Sequence, residues 1–162
     1  MAAALSLVIL RVTLAVVLVA HGAHIVFGAF AGDAVGSGGL SQTAAYFDGI
    51  GLAPGFLMAV LAGGIQLMGG LLVGAGWLTR WAALGVIGYL GLTVWKDHAR
   101  WGFFLNWVLD PTRGHGLEFS LVLTGALLTL VFAGGGDWSI DGLRAQTAAS
   151  RAAGRARLRG RE

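Results

Sequence analysis

Four stretches, at about residues 5–27, 56–78, 82–98 and 117–133, are dominated by apolar side chains. Spanning ~30 Å of hydrocarbon takes about 20 helical residues. Backbone groups in lipid must be bonded internally, which leaves helices or closed barrels. The strong alternation expected of barrel strands is absent. The predicted fold is therefore an all-α membrane protein, a four-transmembrane-helix bundle. Composition agrees, because only 12% of residues are charged and a soluble domain carries about 25%. Mean hydropathy is +0.76. A cleavable signal competes for the first stretch, since Ala29-Phe30-Ala31 resembles a processing site. Nothing basic precedes Arg11, however, and the segment holds two histidines, so a retained span is expected.

The chain contains no cysteine. That excludes disulfides, thiolate metal sites, iron–sulfur clusters and CxxC redox chemistry. Six of the eleven Lys/Arg lie between Arg144 and Arg161, so the basicity belongs mainly to a tail. No basic aromatic surface accompanies it, and nucleic acid is not an expected partner. The organisation expected is one transmembrane domain, 1–141, followed by a basic, disordered tail, 142–162. Anionic lipid attracts such a tail.

With both termini on one side of the membrane, that side also holds Arg80 and the tail arginines. Lys96, Arg100 and Arg113 fall on the other. The positive-inside rule then makes the termini cytoplasmic and turns loops 28–55 and 99–116 outward. Trp77 and Trp81 flank the inner turn, while Trp95, Trp101 and Trp107 cluster at the outer end, as aromatic belts do. In the first outer loop, Ser41 is placed to cap a short interfacial helix reaching about Asp48, with Tyr46 and Phe47 suited to the interface. Pro54 suits the start of the second span. Gly70 and Gly74 form a GxxxG pair, and Gly85, Gly88 and Gly91 recur every three residues. Such small residues allow close helix packing, either within the bundle or across a homodimer.

Ionisable and amide groups inside spans are costly and therefore informative. Arg11 either snorkels to the headgroups or faces the bundle as a cation. Gln66, in the middle of the second span, calls for an interhelical hydrogen bond or a ligand contact. His21 and His24 lie about 60° apart on one helical face. His98 closes the third span within WKDHARW, His115 precedes the fourth, and Glu118 lies just inside it. Three readings compete for this outer-leaflet cluster. It is a satisfied polar layer, a quinone headgroup site supplied with donors and protons by histidine and glutamate, or a haem or metal site with His21 and His98 as ligands. No nucleophile motif, phosphate-binding loop or dinucleotide fingerprint is present.

Arg11, the HG…FG pattern at His21, Gly22, Phe27 and Gly28, GGIQLMGGLLVGAGWLTR at 63–80, GFF at 102–104, GLEF at 116–119 and GGGDWSID at 134–141 follow one another in order. In this arrangement the chain resembles the DoxX family of small four-span membrane proteins, from about Arg11 to Asp141. The resemblance implies a bacterial protein of the cell (inner) membrane. It also implies a tie to respiratory and sulfur oxidation, including subunits resembling those of thiosulfate:quinone oxidoreductase, or to oxidative-stress complexes. More distant relatives act as membrane chaperones. His21, Glu118 and Arg11 match family positions. Relatives often carry a lysine where this chain has Ile25 and a glutamate where it has Gln66, so both departures remove a charge.

The expected function is a redox-associated subunit of a quinone-linked membrane oxidoreductase complex. His21 and His98 are the candidate donors, Glu118 the candidate proton relay, and His24, Gln66 and Arg11 further members of the polar pocket. The electron-carrying cofactor is expected on a protein partner. The alternative is a non-catalytic membrane scaffold or assembly factor. A channel or carrier is disfavoured by the scarcity of charge at mid-membrane.

Overall fold

The computed structural model describes residues 1–32 and 37–159. Residues 33–36 of the glycine-rich outer loop and residues 160–162 of the basic tail, Arg161 among them, lie outside the described residues. The described chain is all-helical. Its elements are α1 (Ala2–Phe27), α2 (Gly39–Gly49), α3 (Gly55–Ala75), α4 (Thr79–Lys96), a 3₁₀ turn (His98–Trp101), α5 (Glu118–Ala133) and α6 (Ile140–Arg159). At ~1.5 Å per residue, α1 and α3 are long and apolar enough to cross a bilayer. The helices α4 and α5 are shorter, at 18 and 16 residues.

Glycine sets where the helices stop and how closely they approach. Gly28 ends α1 and Gly76 ends α3, both in the left-handed conformation (φ 67° and 68°) that a Cβ disfavours. The pair α1 and α3 forms the most intimate contact. A Cβ on Gly22 would lie 2.5 Å from the Leu67 backbone nitrogen, and one on Gly70 would lie 2.9 Å from the Leu18 Cβ. Gly74 approaches Ala15 in the same way, so the GxxxG pair packs inside the bundle. Gly85, Gly88 and Gly91 differ, because nothing in the structure lies within 4 Å of where their Cβ atoms would sit. They face outward from α4.

The main core joins Leu14 and Leu18 of α1, Val73 of α3, Val86 and Leu90 of α4, and Leu123, Leu127 and Leu130 of α5. A second cluster seats α2 on α3 through Ala44, Phe47, Ala59 and Ala62.

Arg11 belongs to neither cluster and does not snorkel. It is only 4% exposed. Its guanidinium donates to the Gly135 carbonyl at 2.5 Å and to the Trp138 and Gly74 carbonyls, each at 3.0 Å. The cation therefore ties α1 to the end of α3 and to the GGGDWS turn after α5. Asp141 completes this clasp. Its carboxylate accepts from the Leu78 and Thr79 backbone N–H groups and from the Thr79 hydroxyl, capping α4 across more than 60 residues. Burial opposes ionisation of Asp141, but the donors on Thr79 and Leu78 outweigh it and hold the carboxyl below its ordinary range.

Two expectations require correction. The interfacial helix α2 exists, but it begins at Gly39, so Ser41 lies inside it and does not cap it. Its Phe47 points into the protein, 3% exposed, because Ala59 and Ala62 leave room for the ring. The tail, expected to be disordered, continues as α6 to Arg159 with no residue buried. Alanine and arginine are both strong helix formers, so this segment is helical without a packed face.

Candidate functional site

At the end of the bundle opposite the Arg11 clasp, the helices splay around an open cavity of about 480 Å³. Most of its surface is apolar, from Ile25 of α1, Phe47 of α2, Leu90 of α4, and Phe119 and Leu123 of α5. Into this surface project His21 from α1, Tyr46 from α2, Gln66 from α3, Tyr89 and Thr93 from α4, His98 from the 3₁₀ turn and His115 from the loop before α5. A concave, largely apolar site with a few polar groups is the usual form of a small-molecule pocket.

Gln66 is the innermost of the polar groups that the sequence singled out. It is 6% exposed, and its amide has no hydrogen-bond partner among the described residues. The interhelical bond expected of it is not made. Instead, its donors and acceptor face the cavity, where a ligand would satisfy them. Ile25 lines the same cavity. The two positions at which the resemblance implies charge are therefore both at one site, and in this chain both are neutral.

The histidines have separate tasks. The His21 ring lies 6.0 Å from the Phe119 ring, and His21 lines the cavity. His98 Nδ1 lies 3.0 Å from the His115 carbonyl. The carbonyl can only accept, so in the neutral ring Nδ1 carries the proton and Nε2 is an acceptor. His115 Nδ1 accepts from the Asn106 backbone N–H at 3.2 Å, which leaves its Nε2–H as a donor. In these neutral tautomers His98 offers an acceptor nitrogen, and His115 a donor.

Three further expected members of the pocket lie elsewhere. His24 turns toward the end of α1, where Nδ1 pairs with the Ala29 carbonyl at 2.8 Å, and its ring packs against the Gly38 turn that starts α2. Glu118 accepts from the Leu105 N–H at 3.1 Å and so fixes the loop before α5. Arg11 is in the clasp at the other end. His21, Gln66 and His98 are brought together, and His24, Glu118 and Arg11 are not.

Tyr46 and Asp97 had drawn no functional reading from the sequence. Asp97, 6% exposed, follows the last residue of α4. It accepts from the Tyr46 hydroxyl at 2.5 Å, from the Arg100 guanidinium at 2.6 Å and from the Trp101 indole at 3.1 Å. This latch holds α2 against the end of α4 and closes one wall of the cavity. Partial burial and the Asp97 acceptor push the Tyr46 hydroxyl well above the ordinary range, so it is a neutral donor at any physiological pH. The signal available in the sequence was an acid set among basic and aromatic residues in WKDHARW.

The family model described as DoxX matches residues 6–99. The chain belongs to the DoxX family. The matched segment holds α1 to α4, with Arg11, His21, Gly22, Gln66 and His98, while Glu118, His115 and Asp141 lie beyond it. No curated protein and no solved structure matches the chain. This DoxX family protein is a membrane protein, with its cavity built largely from the matched helices.

Proposed function

We propose that α1, α3, α4 and α5 all cross the membrane, and that the cavity receives a quinone headgroup for a redox complex of which this chain is a membrane subunit. One observation carries the reading. Gln66, a largely buried residue whose amide has no hydrogen-bond partner among the described residues, lines an apolar cavity open at its histidine-lined end.

A quinone headgroup is a flat ring with carbonyl acceptors on opposite edges. Gln66 and Tyr89 are donors from the deep side, and His21 and His115 from the rim. Phe119 and Leu123 offer apolar surface to the ring. About 480 Å³ suits a headgroup of this class with part of its tail. Quinone reduction takes up two electrons and two protons to give the quinol. The rim histidines carry imidazole rings, which can take up and release protons, at the end of the cavity that is open to water. The electrons come from a group on a protein partner, with which this chain would assemble in the inner membrane. Arg80 and the arginines of α6 share one end of the molecule, which supports a cytoplasmic position for that end and for both termini. The cavity then opens toward the outer leaflet.

Titration of the purified, delipidated protein in mild detergent with a short-tailed quinone analogue tests this reading. Saturable binding is expected, weakened at least tenfold by both His21→Ala and Gln66→Leu. An absence of saturable binding, or binding unaffected by either substitution, would transfer the function to a scaffold or assembly role.

A further inference from the structure

We propose that α6 is a lipid-binding arm whose arginine face lies on an anionic leaflet at the α3–α4 end of the bundle. The residues from Leu143 to Arg159 are all exposed. At about 100° per residue, Arg144, Arg151 and Arg155 fall within about 40° of one another. Ile140 and Leu158 lie at the edge of that arc. The opposite face carries Gln146, Ala149, Ser150 and Ala153, with Arg157 the one basic residue on that side among the described residues. A helix that mixes arginine with scattered large apolar residues on one side presents a surface for headgroups, with the guanidinium stems lying along the apolar boundary.

The orientation of the arm supplies a second observation. Its first turn is fixed to the bundle, because the Asp141 N–H donates to the Gly76 carbonyl at 2.9 Å and its carboxylate caps α4. The Arg144 guanidinium lies 5.5 Å from the Trp77 ring centroid. Trp77, Trp81 and Trp138 are 40%, 73% and 53% exposed at this end, as interfacial tryptophans are. The arginine face is therefore turned toward the tryptophan belt and its alanine face away from it. Asp141, the one acid of α6, is engaged by α4 and does not dilute the positive face. Charge and orientation together select the neighbouring lipid surface over a soluble acidic partner.

The chain has no cysteine, so Ala148→Cys on the arginine face and Ala153→Cys on the opposite face each give one site for a nitroxide label. The full chain is reconstituted into phosphatidylcholine vesicles with or without phosphatidylglycerol. Collision with a water-soluble nickel chelate is then measured. The anionic lipid is expected to lower the accessibility of the Ala148→Cys label several-fold, reversibly in high salt, and to leave the Ala153→Cys label unchanged. At about fivefold per basic residue, Arg151→Ala with Arg155→Ala weakens the docking of the arm roughly 25-fold and restores access. Equal access at Ala148→Cys in both lipids overturns the proposal, as does equal protection of the two labels. Protection that requires an added acidic protein or RNA, and that anionic vesicles do not produce, would replace the lipid with that partner.

Discussion

Gly22→Ala adds one methyl group where α1 crosses α3. The new Cβ would lie 2.5 Å from the Leu67 nitrogen and 2.8 Å from both its Cα and its Cβ. Ordinary carbon contacts lie near 3.5–4.0 Å, so the helices must part by roughly 1 Å along their closest line. Two of the obstructing atoms are backbone, and no rotamer change can relieve them. Overpacking of this kind costs about 1–3 kcal/mol. Gly91→Ala is the matched control, because its Cβ would meet nothing within 4 Å. Both substitutions gain up to about 1 kcal/mol of helix propensity, so their difference isolates the packing term. Unfolding in mixed micelles of mild detergent and dodecyl sulfate measures it. Gly22→Ala should lie about 1–3 kcal/mol below Gly91→Ala, which itself should equal or exceed wild type. Equal midpoints for the two variants would refute the close α1–α3 crossing, and with it the position of His21 at the cavity.

Arg11→Met leaves the Gly74, Gly135 and Trp138 carbonyls without their donor and should cost about 3–5 kcal/mol in the same unfolding assay. Arg11→Lys should fall between this variant and wild type, since one ammonium cannot reproduce the guanidinium fork; an Arg11→Met variant as stable as wild type would contradict the clasp. The Asp141 carboxyl is held below its ordinary value of 3.8 in the folded protein, so its contribution to stability is complete above that value and is lost as pH falls through and below it. Unfolding midpoints followed from neutral pH into the acid range should therefore drop more steeply for wild type than for Asp141→Asn, and parallel curves would count against the α4 cap.

The helices were legible because hydrophobic length is a local property. The apolar stretches coincide with α1, α3, α4 and α5 to within a few residues at each end. The polar groups were legible as residues worth placing, but their placement was not. Arg11 looked free to snorkel because its three acceptors are backbone carbonyls, and those of Gly135 and Trp138 come from more than a hundred residues away. His21 and His24 share a helical face in projection, yet about 60° of rotation is enough to send one ring to the cavity and the other to the α2 junction. Glu118 stood out as an acid at the start of a span, but its partner is the Leu105 N–H, and no sequence pattern marks that group. The glycines of α3 and α4 read alike, although Gly70 and Gly74 of α3 meet α1 while Gly85, Gly88 and Gly91 of α4 meet no neighbouring helix among the described residues. In the tail, low apolar content suggested disorder, while the alanine and arginine content that favours helix decided the local structure.

The central claim is that the cavity between His21 and Gln66 holds a quinone headgroup. Photolabelling with an azidoquinone, followed by peptide mapping of the intact chain in vesicles, tests it most directly. Covalent label is expected on cavity residues such as Tyr89, Phe119 and Leu123, competed away by excess unlabelled quinone and lost in Leu123→Trp, which fills the space. Label confined to outward-facing residues such as Leu71 and Val122, without competition, would contradict it.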